Sequence, residues 1–226
     1  MKNAISSLAF LLFASCGIEC SAQTVSGQID GYDYVDLGLS VKWATFNVGA
    51  TQPTELGNYF AWGEVAQKDS SYNWSTYKWC EGSFDSITRY CVKRKLGKRD
   101  KYTQLIPADD AATANWGAKW RMPSILELQE LVDNCKWDWT SNYKGSGTAG
   151  SIGTSKINGN TIFLPAAGFR EDTMVGGLGV RGQYMSNQIA DFGNCDVHYI
   201  WFGDSSIETD DNIQRQIGNS VRAVTK

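Results

Sequence analysis

The spacing of apolar positions changes twice along the chain, and each change marks a change of element. Between residues 34 and 62, apolar and aromatic side chains come in short runs (34–39, 41–48 and 59–62) broken by Gly, Ser and Pro. That is the pattern of short strands. From Asp109 the spacing becomes helical. Asp109-Asp110 offers a carboxylate cap for the alanine-rich stretch up to Asn115, and Gly117 stops it. A second helix opens at Ser124, with Glu127 three positions on, the spacing of a capping box. Ile125, Leu128, Leu131, Val132 and Cys135 then line one face, with Glu127, Glu130 and Asp133 between them.

Beyond the helices the β pattern returns. Asn158-Gly159 between β-prone residues predicts a hairpin, whose second arm runs through Phe163-Leu164 to Pro165. Residues 197–202 read as a buried strand and 220–224 as a closing strand that brings the chain ends together. Residues 69–101 read as a long, partly ordered excursion, 143–154 as a Gly/Ser/Thr loop and 204–212 as a solvated acidic loop. Strands, two helices, then strands predict an α+β fold, and the absence of a repeat or linker predicts one domain over residues 23–226.

The first residues change the compartment expected. Met1-Lys2 and the apolar run 8–14 resemble a secretory signal peptide, cut after Ala22. An alternative cut before Cys16 would place a lipid on that cysteine and tether the chain to a membrane. No later stretch is long enough to span a bilayer. With 24 acidic and 21 basic side chains the net charge is −3, which gives nucleic acid no electrostatic footprint. The basic run 93–101 is interrupted by Asp100 and reads as a solvated loop. Cleavage at Ala22 leaves Cys80, Cys91, Cys135 and Cys195. A Cys80–Cys91 disulfide closing a short loop is one expectation and free thiols the other.

Several segments carry a resemblance. Trp120-Arg121-Met122-Pro123-Ser124 looks like the Trp-Arg-Leu-Pro-Thr opening of the second helix in formylglycine-generating-enzyme-like domains. Residues 163–170, 182–186 and 218–224 follow in the same order, and residues 35–44 look like an N-terminal signature. Together they resemble the Fibrobacter major paralogous domain family, found in exported proteins of Bacteroidetes. The resemblance implies a C-type-lectin-like architecture: two helices on twisted antiparallel sheets, with long loops on one face. Arg170 and Arg222, at strand ends, are expected to make structural ion pairs.

Catalytic chemistry finds little support in the residues. The formylglycine-generating type needs two late cysteines, and Cys195 alone follows Cys135. The related iron sulfoxide synthases need several histidines, and His198 is the single His. No Ser lies in a Gly-x-Ser-x-Gly elbow, and no pair of acids stands out. Residues 176–179 lack the context of a phosphate loop. No cofactor is expected. Calcium has no Glu-Pro-Asn or Trp-Asn-Asp motif behind it, although the acids of 204–212 offer oxygen ligands.

The expectation is therefore a non-catalytic, exported ligand-binding or adhesion protein of a bacterial surface, with a glycan or protein as partner. Its ligand face is expected in the late segment, where Tyr184, Asn187, Gln188, Asp191, Asn194, Asp196, His198, Tyr199 and Trp201 mix aromatic faces with amides and carboxylates. A structural or tip subunit of a surface assembly is one alternative. A divergent enzyme of the same superfamily is another. Asp85-Ser86-Ile87 and Asp172-Thr173-Met174 resemble short O-glycosylation signals on Ser86 and Thr173.

Overall fold

The computed structural model describes residues 23–100, 102–190 and 195–226, except the side chain of Asp211. Residues 1–22, which include the expected leader and Cys16, lie outside the described residues. The fold is mixed α+β and dominated by antiparallel sheet. Among the described residues no helix is long and apolar enough to cross a membrane.

The first sheet joins both ends of the described chain. β1 (Gly27–Ile29), β2 (Tyr32–Val35) and β3 (Lys42–Ala44) lie in order, and β12 (Val224–Thr225) pairs with β3 through Val224 and Trp43. The closing strand expected over 220–224 is shorter and later, Val224–Thr225, but Val221, Ala223 and Val224 are each fully buried. Arg222 between them is buried too, at 1 % exposure. Among the described residues no carboxylate pairs with it. Its guanidinium donates to the carbonyls of Ala44 (3.1 Å) and Phe163 (3.0 Å) and to Asn47 Oδ1 (3.0 Å). The expected ion pair is thus replaced by carbonyl and amide acceptors, and burial lowers its pKa to about 10. Arg170 lies over the Tyr72 ring instead of a carboxylate.

Both helices start as the sequence predicts. Asp110 caps α1 (Ala111–Trp116), accepting from the Thr113 amide at 3.0 Å. Asp109 turns away, accepting from the Tyr90 hydroxyl at 2.6 Å and pairing with Arg89. In α2 (Ile125–Asn134) Ser124 and Glu127 form the complete capping box, and Arg121 binds the same Glu127 carboxylate. Leu128 and Leu131 are buried among Trp43, Leu164, Ile200 and Phe202.

Two segments read as loops are strands. Cys135 ends the helical run, and the backbone turns extended into β4 (Cys135–Thr140), which pairs with β5 (Gly150–Ser155), itself paired with β6 (Thr161–Pro165). The glycines that mark 143–154 as a loop are needed inside β5. A Cβ on Gly150 would lie 2.7 Å from the Phe163 ring, and one on Gly153 the same distance from Trp137. Small residues let the strand pass beneath aromatic rings. The acidic stretch is likewise β11 (Ile207–Gln214), an edge strand of the sheet β11-β10-β9, with β10 (Asp196–Phe202) and β9 (Gly182–Ile189). Charged side chains on an edge strand discourage pairing with another chain, so acidity and strand are compatible there. β7 (Phe169–Glu171) and β8 (Met174–Gly176) form a separate hairpin.

The excursion between β3 and α1 has no regular strand, and residues 59–62 contribute one bridge, Phe60 to Asn219. Buried aromatic hydroxyl and indole groups satisfy its backbone instead. Tyr72 donates to the Tyr59 carbonyl (2.7 Å) and Tyr77 to that of Trp62 (2.8 Å), while the Trp62 indole ties the excursion to β9 through the Ser186 carbonyl (2.9 Å). All four described cysteines are free. The expected Cys80–Cys91 disulfide is not made: Cys80 Sγ is turned onto the Trp74 carbonyl (3.0 Å), and Cys91 Sγ meets that of Lys93 (3.2 Å).

Candidate functional site

The late segment does not form the continuous ligand face its composition suggests. Tyr184 is 1 % exposed, and its hydroxyl accepts from Asn47 Nδ2 (3.1 Å) and donates to the Pro165 carbonyl (3.0 Å). Burial pushes its pKa to about 12, so it stays a neutral structural bridge. Asn187, also buried, donates through Nδ2 to the Met122 carbonyl, and Gln188 Oε1 accepts from the Ile125 amide at the start of α2. Tyr199 faces the core with Met185, Val197 and Ile213, its hydroxyl on Asn212. The expected ligand role of Tyr184, Asn187 and Tyr199 is thereby corrected, because all three side chains are buried in the fold.

Three predicted residues remain half-buried on β10: Asp196, His198 and Trp201. A β-bulge between Val197 and Tyr199 shifts the register there. His198 lines a shallow depression with Ile125, Thr209 and Asp210, while Trp201 lies beneath the Arg181 guanidinium. Asp191 and Asn194 lie outside the described residues. Ser86 holds a turn, donating to the Ser83 carbonyl at 2.8 Å and accepting from the Glu81 and Ser83 amides. Thr173 is exposed at the β7–β8 turn.

A better-formed candidate lies where sequence reasoning passed over five residues, 136–140. On β4 the side chains alternate: Lys136 and Asp138 point to solvent and pair at 3.0 Å, while Trp137 and Trp139 share the opposite face. The two indoles are half-buried, packed at the margin of the Leu128/Leu131 core. The Trp137 indole is fixed by donating to the Val132 carbonyl at 3.2 Å and by the absence of a side chain at Gly153 opposite. The Trp139 indole N–H has no partner among the described residues.

Across from the indoles, the β10–β11 turn closes through the Gly203 amide on the Ser206 carbonyl (3.0 Å) and exposes Asp204 and Ser205. Together with Ser151 and Ile207 these residues line a groove of about 250 Å³. One wall is aromatic. The other is hydroxyl, carboxylate and backbone. The lining holds one carboxylate, no imidazole and no cationic side chain. It therefore lacks the acid pair of a glycosidase and a base to activate a serine. Among the described residues no three His, Cys, Asp or Glu side chains converge as a metal site. Stacking against the indoles with hydrogen bonds from the opposite wall is what the groove can do. The alternation Lys-Trp-Asp-Trp-Thr after a helix end was the available signal, two aromatics on one face of a strand.

Compared with protein-family models, with curated proteins and with solved structures, the chain gives no match in any of the three.

Proposed function

We propose that this chain is an exported, non-catalytic glycan-binding protein of a bacterial surface, with a C-type-lectin-like architecture similar to the Fibrobacter major paralogous domains. Its binding site is the Trp137/Trp139 groove. The observation that carries the reading is the pair of neighbouring indoles facing Asp204, Ser205 and Ser206. Sugars present C–H faces that stack on aromatic rings and hydroxyls that take directional hydrogen bonds. A groove with one carboxylate and no cation suits a neutral glycan better than an acidic one. Pairing of both chain ends in one sheet supports the architecture, and the leader-like first residues support export.

The test is a glycan array probed with the wild-type chain and with Trp139→Ala, with and without calcium. Binding to neutral glycans that falls at least about tenfold in the variant, roughly 1.4 kcal/mol, is expected. Equal binding by both chains, or binding to proteins alone, contradicts it.

The structural-subunit alternative has its own observation. Met174, Val175, Leu178 and Val180 expose large apolar side chains on and after β8, and an apolar surface of this kind favours a protein contact. It predicts concentration-dependent self-association in sedimentation that Val180→Asp abolishes.

A further inference from the structure

We infer that Cys91 and Cys195 form a disulfide that fastens the aromatic excursion to the β11-β10-β9 sheet. Both thiols are 3 % exposed, both belong to the apolar cluster of Tyr77, Ile87 and Leu96, and both line one small cavity. A single side chain brackets them. Arg215 donates through Nε to the Cys195 carbonyl (3.0 Å) and through Nη1 to the carbonyl of Tyr90, the residue before Cys91 (3.1 Å). One guanidinium thus ties the Cys195 backbone to the residue that precedes Cys91, and a disulfide needs its two Cα atoms roughly 4.4–6.8 Å apart. Tyr90 and Cys195 both hold positive φ, +57° and +68°. L side chains adopt that conformation reluctantly, and the same guanidinium holds both turns in it.

The other two thiols are placed differently. Cys80 Sγ is turned onto the Trp74 carbonyl and does not line the shared cavity, and Cys135 sits in a separate core at the end of α2. The present thiol contacts of the pair, Cys91 to the Lys93 carbonyl and Cys195 to that of Phe84, are single hydrogen bonds to sulfur. Such weak bonds are readily given up.

The oxidant is an external disulfide. The Cys91 thiolate attacks it, forming a mixed disulfide and releasing one thiolate. The Cys195 thiolate then attacks the Cys91 sulfur, forming the Cys91–Cys195 bond and releasing the second. Two protein thiols are oxidised, one external disulfide is reduced, and the two protons end on the released thiols. Burial pushes the Cys195 thiol up to about 11 in the folded chain, so the exchange runs while the chain is folding.

The pair is independent of the glycan reading and is tested without it. The full chain is refolded with oxidised glutathione, alkylated, digested without reductant and analysed by mass spectrometry. A linked peptide pair carrying Cys91 and Cys195 is expected, with Cys80 and Cys135 alkylated, and Cys80→Ser should leave the link intact. Reduction should lower the melting temperature by about 10 °C, the scale for closing a loop of about a hundred residues. A link from Cys80 to either partner, or alkylation of both Cys91 and Cys195 in the wild-type chain, overturns the inference.

Discussion

Tyr184 and Trp139 both sit in sheets amid amides, hydroxyls and aromatic rings, yet one is structure and the other is surface. The Tyr184 hydroxyl and the nearby Arg222 guanidinium are engaged within the protein: Asn47 and Pro165 meet the hydroxyl, and Arg222 meets Asn47, Ala44 and Phe163. Around Trp139 the indole N–H, Asp204 and Ser205 face an open groove. Composition is the same in kind. What separates a packed polar core from a recognition surface is whether the hydrogen bonds are already made.

The sharpest way to break this comparison is Arg222→Met. It strips three buried acceptors of their donor and is expected to cost about 3–5 kcal/mol in urea unfolding. Glycan binding by the folded fraction should persist. Next, Trp137→Ala is expected to lose about 2–3 kcal/mol of stability, since its ring is half-buried and pinned to Val132, and to abolish groove binding. A loss of stability with binding intact would sever the groove from function. Tyr184→Phe leaves Asn47 and Pro165 short of a partner and should cost about 1–2 kcal/mol, with no change in binding.

Smaller effects sharpen the comparison further. Glu127→Gln weakens the capping box and the Arg121 contact by about 1 kcal/mol. Burial pushes the Glu127 carboxyl up, but the Arg121 guanidinium and the Ser124 contacts outweigh it and hold it below its ordinary value of 4.5. A carboxyl lowered on folding contributes stability above that value, and the contribution fades as pH falls below it. Urea midpoints measured from pH 6 to pH 3 should therefore fall more steeply in wild type than in Glu127→Gln. Smallest of all, His198→Ala and Trp201→Ala should leave glycan binding unchanged, since neither lines the groove.

Much of the fold is legible in the residues. The capping box at Ser124, the Asp110 cap, the Asn158-Gly159 hairpin and the burial of the closing segment follow from local chemistry and appear where that chemistry puts them. The failures share a cause in long-range packing. Gly150 and Gly153 read as loop residues until Phe163 and Trp137 are known to lie over them. Residues 204–212 read as a solvated loop until β10 supplies a partner for the strand Ile207–Gln214.

The site was harder to read, because a sequence shows an aromatic residue but not whether its face is covered. Tyr199 and Trp201 stand two positions apart, one buried and one half-buried. The groove itself joins β4 to a turn more than sixty residues later, a proximity no local pattern encodes.

The most direct test follows the indole N–H signals of the nine tryptophans by two-dimensional NMR during titration with neutral gluco-, manno- and xylo-hexasaccharides. The account predicts that at least one of these moves the Trp137 and Trp139 signals, assigned through Trp→Phe variants, while that of Trp201 stays in place. Shifts at Trp201 with Trp137 and Trp139 unmoved, or no shift with any of the three sugars, would contradict it.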